Sequence, residues 1–235
     1  MFFSRGPRHK LLTIGGIPVY VERSILMLLV LFLLLGAGSG PAGVLRSLIL
    51  CVVAIASIIW HELGHAFAVK RLGYGDSVIV LHGLGGVTQW RGSPNRRDRI
   101  LIALAGPGFG LILGGAVWAL VLGIGMPEDF LLRTFAWALL FINIGWSIFN
   151  LMPIWPLDGG HVLRYALVSP RRSQSRTLQI SLVASMITAG ILIAFSAMIQ
   201  AIFMVVLLGF LLYNNYQEYQ NLRDQRRPPS SFYGY

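Results

Sequence analysis

Two histidines and a glutamate stand inside the apolar run SIIWHELGHAFAVK, residues 57–70, as His61, Glu62 and His65. On a helix, residues four apart lie about 6 Å apart along the axis on one face. Two imidazoles so placed can share one zinc ion, and the glutamate beside them can accept a proton from a water bound there. Zinc lowers the pKa of such a water from about 15.7 to about 7, so hydroxide becomes accessible at neutral pH. An acidic side chain in hydrocarbon costs about 2.5 kcal/mol or more. Three ionisable groups in one turn of an apolar helix therefore point to a metal site rather than to packing histidines.

The elements that must position these residues follow from composition. Of 235 residues, 55% are hydrophobic and only 12% are charged. Long apolar runs then set the class as an integral membrane protein. The runs predict spans over 24–38, 44–70, 99–124 and 130–151, and two more within 177–214 that turn near 195–200. The expected fold is an all-α bundle of about six transmembrane helices with a small membrane-associated β-hairpin, built on VIVLHGLGGVTQW (78–90). IPVYVE (17–22) has weak strand character. The division expected is a transmembrane core over 1–222 and a disordered basic tail over 223–235. Cys51 lies in an apolar run and suits packing, and MFFSRGPRHK does not read as a removable signal.

The net charge of +10 comes from 19 Lys+Arg against 9 Asp+Glu. The basic residues flank the apolar runs, where they set topology and meet anionic lipid headgroups, so no nucleic-acid partner is expected. With six spans, all of the 19 except Arg46 and Arg133 fall on one side. The positive-inside rule puts that side, with both termini, in the cytoplasm. The membrane expected is the cell membrane.

A catalytic zinc needs a third protein ligand and one open position. Apart from Glu62, the acidic residues are Glu22, Asp76, Asp98, Glu128, Asp129, Asp158, Glu218 and Asp224. In the six-span topology the motif lies in the cytoplasmic half of the second span, and Glu128 and Asp129 lie on the opposite surface. Asp158, just beyond the inward-running fourth span, comes to the right depth. It sits in NLMPIWPLDGGH, where prolines end a helix and two glycines allow close backbone approach. His161 and His82 are rival ligands.

Together these residues resemble the site-2 protease family of intramembrane zinc metalloproteases. That family pairs H-E-x-x-H in one transmembrane helix with a later N-x-x-P-x-x-P-L-D-G segment, here His61 to His65 and Asn150 to Gly159. ALAGPGFG (103–110) also looks like the start of the family's third helix. The resemblance implies one zinc ion held by His61, His65 and Asp158, with Glu62 as general base and acid. It further implies that Asn150 helps hold substrate backbone or the developing oxyanion. GLGG, with Gly83, Gly85 and Gly86, would belong to a hairpin that pairs with an unwound substrate by strand addition. The implied substrate is a single-span membrane protein already shortened by another protease, cleaved within the lipid bilayer. The chain looks like a minimal member, with no room for a PDZ domain between the motifs or a CBS domain after 215. Two other classes are conceivable. One is an inactive relative that only binds membrane proteins, and intact catalytic positions argue against it. The other is a transporter, which would need further polar residues in several spans.

Overall fold

The structure, a computed structural model, describes residues 7–36, 40–83, 85–169, 171 and 173–224. The chain divides into two compact units, Met1–Phe149 and Asn150–Tyr235.

In the first unit, strands β1 (Arg8–Ile14) and β2 (Ile17–Glu22) form an antiparallel pair. The two-residue turn between them is Gly15-Gly16, both at positive φ, which matches the right-handed twist of the flanking strands. A short 3-10 turn leads into helix α1 (Leu26–Gly36), and the chain continues as α2 (Gly40–Arg71), β3 (Ser77–His82) and β4 (Gly85–Trp90). The sheet order is β1-β2-β3-β4, with β2 parallel to β3 (Val19 opposite Ile79) and β3 antiparallel to β4. The expected hairpin is thus half of a four-stranded sheet. Of its other half, β2 is the IPVYVE segment with strand character, and β1 was missed because it buries almost nothing of its own and is held by pairing with β2.

The sheet lies on α2. Ile17, Val19, Ile79 and Leu81 from the strands bury against Ile58 and Ala66 of that helix. At about 25 cal/mol per Å² of apolar area removed from water, this contact fixes the strands beside the turn of α2 that carries the motif. Helix α3 (Arg96–Ile124) packs on α2 through small residues. A Cβ built on Gly64 would stand 2.5 Å from the Ala105 carbonyl oxygen, so the backbones are in contact there. Helix α4 (Phe130–Leu140), a π-helical turn (Phe141–Gly145) and helix α5 (Trp146–Asn150) run on as one span. Asn143 in the π turn donates to Ser57 Oγ of α2 at 2.9 Å, one turn before His61.

The loop from α2 to β3 and the start of α3 are joined by polar groups. Asn95 caps α3 by accepting from the Asp98 backbone N–H at 3.0 Å. Tyr74 donates its hydroxyl to Asp98, and the Asn95 backbone N–H donates to that hydroxyl at 3.3 Å. The bond to the Asp98 carboxylate raises the Tyr74 phenol above its ordinary 10.0. A raised folded-state pKa means stability that is complete below pH 10 and declines as pH rises through the shifted value. Tyr74→Phe should therefore flatten the alkaline limb of stability against pH. Thermal melting between pH 8 and 11 tests this, and parallel limbs for the two proteins would remove the clasp from the account.

In the second unit, a loop at 151–157 leads to helix α6 (Asp158–Ala166). Helices α7 (Gln174–Met198) and α8 (Ile202–Asp224) then pack as a pair. The turn expected near 195–200 falls just after Met198, with Gln200 at φ 56°. Residues 223 and 224 of the expected tail close α8, and the rest of it lies outside the described residues.

Among the described residues, four helical segments are long and apolar enough to cross a membrane: Gly40–Arg71, Arg96–Ile124, Phe130–Asn150 and Gln174–Met198. Their outer faces carry large exposed apolar side chains, such as Leu122, Ile124 and Phe141, as lipid contact requires. This is an integral membrane protein, predominantly helical, with one small sheet.

Candidate metal centre

His61, Glu62 and His65 are each less than a tenth exposed on α2. His65 Nδ1 stands 2.6 Å from the Ile102 carbonyl oxygen of α3. A carbonyl can only accept, so Nδ1 carries the proton and Nε2 keeps its lone pair. That lone pair faces His61, whose Nε2 lies 3.2 Å from His65 Nε2. Two nitrogens bound at 2.0–2.1 Å to one tetrahedral zinc stand about 3.3–3.4 Å apart. The pair therefore fits as two of a zinc ion's ligands. The backbone bond on the far nitrogen of His65 is the kind of outer contact that orients a metal-bound histidine.

The space around the two nitrogens is kept clear by α3. A Cβ on Gly106 would lie 2.2 Å from His65 Nε2 and 2.7 Å from His61 Nε2. Gly106 belongs to ALAGPGFG, so a signal was present in the sequence, but its role in clearing the metal-binding atoms shows only in three dimensions.

Glu62 points toward β4. A Cβ on Gly86 would lie 2.6 Å from Glu62 Cγ, and Thr88 donates its hydroxyl to Glu62 Oε2 at 2.7 Å. Gly85, at φ 135°, opens the strand in a conformation that favours glycine. Gly83 sits in the turn against the Ser24 carbonyl oxygen, 2.5 Å from where its Cβ would be. The first unit thus brings together His61, Glu62, His65 and Gly86. Thr88 was not singled out in the sequence, where nothing distinguishes it from any strand threonine. His82 ends β3, and burial lowers its imidazole pKa against the opposing pull of Glu22 and Glu62.

The second unit carries Asn150 and Asp158. Asn150 is buried at the end of α5. Asp158 is the first residue of α6, and the two glycines after it let that turn lie against the loop. A Cβ on Gly159 would meet the Leu151 carbonyl oxygen at 2.1 Å, and one on Gly160 the Ile154 backbone at 2.6 Å. The loop itself is strapped to α7 and α8. The Trp155 backbone N–H donates to Ser185 Oγ at 3.0 Å, and Asn215 Nδ2 donates to the Trp155 carbonyl at 2.6 Å. His161 packs its ring between Trp155 and Tyr165, with centroids at 4.5 and 6.3 Å.

The model of peptidase family M50 matches residues 48–130 and 125–195. The chain belongs to peptidase family M50. Both motifs, strands β3 and β4 of the sheet and the Gly106 contact fall within the span that this M50 match covers, while β1 and β2 precede it. A zinc metalloprotease of Methanocaldococcus jannaschii is 27% identical over 213 residues, 89% of this chain and 60% of that one. The protein Rip3 of Mycobacterium tuberculosis is 32% identical over 154 residues, 65% of this chain and 34% of its own length. The chain thus spans about a third of one relative and 60% of the other. Among solved structures, the site-2 protease from Methanocaldococcus jannaschii superposes with a TM-score of 0.62 at 25% identity, over 91% of this chain and 95% of that one. The kinship with site-2 proteases expected from the two motifs holds.

Proposed function

We propose that this protein is an intramembrane zinc metalloprotease that hydrolyses peptide bonds in the transmembrane segments of membrane proteins. The observation that carries the reading is the pair of Nε2 atoms 3.2 Å apart in an apolar helix, with Glu62 beside them. His61, His65 and Asp158 would hold one zinc ion. When bound, zinc acts as a Lewis acid that makes water acidic and polarises a carbonyl. Glu62 takes the proton of the attacking water on its carboxylate and gives it to the leaving amine. Asn150 holds the substrate carbonyl or the charge that develops on its oxygen.

A substrate helix hides its backbone in its own hydrogen bonds, so it must unwind before attack. Strand addition at β4, the last strand in the sheet order, would satisfy the freed groups. Gly86 keeps that strand close to α2, Gly83 lets its turn lie against Ser24, and Gly85 supplies the positive φ at which the strand opens. The substrate class is the single-span membrane protein shortened beforehand. Six spans, with α1 and α8 as the first and last, would put both termini in the cytoplasm of a cell-membrane protein. Residues 1–222 would form the catalytic core, followed by a basic tail.

Metal analysis of the detergent-purified protein tests the reading without a known substrate. The expected result is about one zinc per chain, with a clear fall in Asp158→Ala. A wild type that takes up no zinc on resupply would overturn the reading. Full zinc in Asp158→Ala would reassign the third ligand.

A further inference from the structure

Glu62 is gripped from one side by two residues of one strand. Gly86 and Thr88 are two apart on β4 and so share a face. The missing side chain of Gly86 lets the strand lie against the stem of Glu62, since a Cβ there would meet Cγ at 2.6 Å and Cδ at 3.0 Å. Thr88 reaches the head. Its Oγ1 stands 2.7 Å from Glu62 Oε2 and 3.0 Å from the Glu62 carbonyl oxygen. A hydroxyl has one proton to donate, and the shorter, charge-assisted bond is to the carboxylate. Buried threonines usually satisfy themselves on a nearby backbone carbonyl. This one has such a carbonyl and still lies closer to the side chain.

We propose that Thr88 is a positioning residue for Glu62: its hydroxyl holds one carboxylate oxygen and so aims the other at the attacking water. This rests on the reading of Glu62 as the general base. Thr88 lies on the strand proposed to pair with substrate, so strand addition at β4 bears on the same backbone that aims the base. Docking and alignment of the base are thereby linked through one residue. The threonine has its own χ1 restricted by its branched Cβ, which suits a fixed donor.

The test uses the zinc-loaded, detergent-purified protein. The probe is a quenched fluorescent peptide with one apolar span interrupted by a Gly-Pro pair, which loosens its helix. Thr88→Val keeps the shape and removes the hydroxyl, Thr88→Ser keeps the hydroxyl, and Glu62→Gln is run beside them. A misplaced catalytic group can cost up to about 100-fold in rate. The expected result for Thr88→Val is a fall in kcat of about 10–100-fold with KM and zinc content unchanged, and for Thr88→Ser a return to within a few-fold of wild type. A wild-type kcat in Thr88→Val, with Glu62→Gln inactive, would overturn the positioning role and leave the protease reading standing. Lost zinc in Thr88→Val, or a Thr88→Ser variant equally poor, would make the residue one of packing and also overturn it. If Glu62→Gln cleaves like wild type, or the wild type does not cleave, the protease reading itself fails and takes the proposal with it.

Discussion

Glu62→Gln is expected to keep its zinc and lose hydrolysis by about 10³-fold, within the 10²–10⁴ range that a positioned acid–base group contributes. The amide has nearly the shape of the carboxylate, so the stem still fits against Gly86 and the amide oxygen can still accept from Thr88. What it lacks is the capacity to take a proton from water and return it. His61 and His65 keep their spacing, because that spacing depends on the helix and on the Ile102 carbonyl rather than on Glu62. The two readouts should therefore separate in Glu62→Gln and fall together in His65→Ala. Cleavage of the apolar-span peptide and zinc analysis on the same preparations decide it. A glutamine variant that cleaves normally removes Glu62 from the chemistry. One that loses zinc makes Glu62 part of the metal's surroundings instead.

The parts of this molecule that were legible in the sequence are those fixed by local geometry. An i, i+4 pair of histidines on a helix meets its partner whatever the rest of the chain does. Apolar runs mark helices because backbone in lipid must bond within its own segment. The turn between α7 and α8 followed from length alone. What stayed hidden depends on distant chain segments. The run RHKLLTI is exposed along almost its whole length as β1, so its apolar pattern does not report a strand. The Gly-Gly turn after it was the available hairpin signal. The parallel pairing of Val19 with Ile79 joins strands separated by two helices, and no local pattern encodes it. Thr88 is an ordinary strand threonine until Glu62 is placed beneath it. Gly106 looks like any small residue of a helix contact until two imidazoles are seen to fill the space beside it.

Gly106→Ala should cost the protein its metal. The new methyl would stand 2.2 Å from His65 Nε2 and 2.7 Å from His61 Nε2, well inside any real carbon contact, on the two atoms proposed to bind zinc. Neither side can give way cheaply. His65 is bonded to the carbonyl of Ile102, one turn before Gly106 on the same helix, so turning the ring breaks that bond. Helix α3 cannot retreat without parting from α2 at Gly64, where the two backbones touch. Overpacking of this kind costs about 1–3 kcal/mol, and displacing the histidines adds the loss of their metal geometry. Zinc content below about a tenth of wild type is expected, comparable to a loss of two of the ligands. Gly108→Ala is the control, because a Cβ there meets nothing within 4 Å. An alanine at an open helix position is neutral or mildly stabilising, by about 0.5–1 kcal/mol. Zinc analysis and thermal melting of both variants separate a blocked site from a general weakness of α3. Full zinc in Gly106→Ala would mean that the metal does not sit between these two nitrogens.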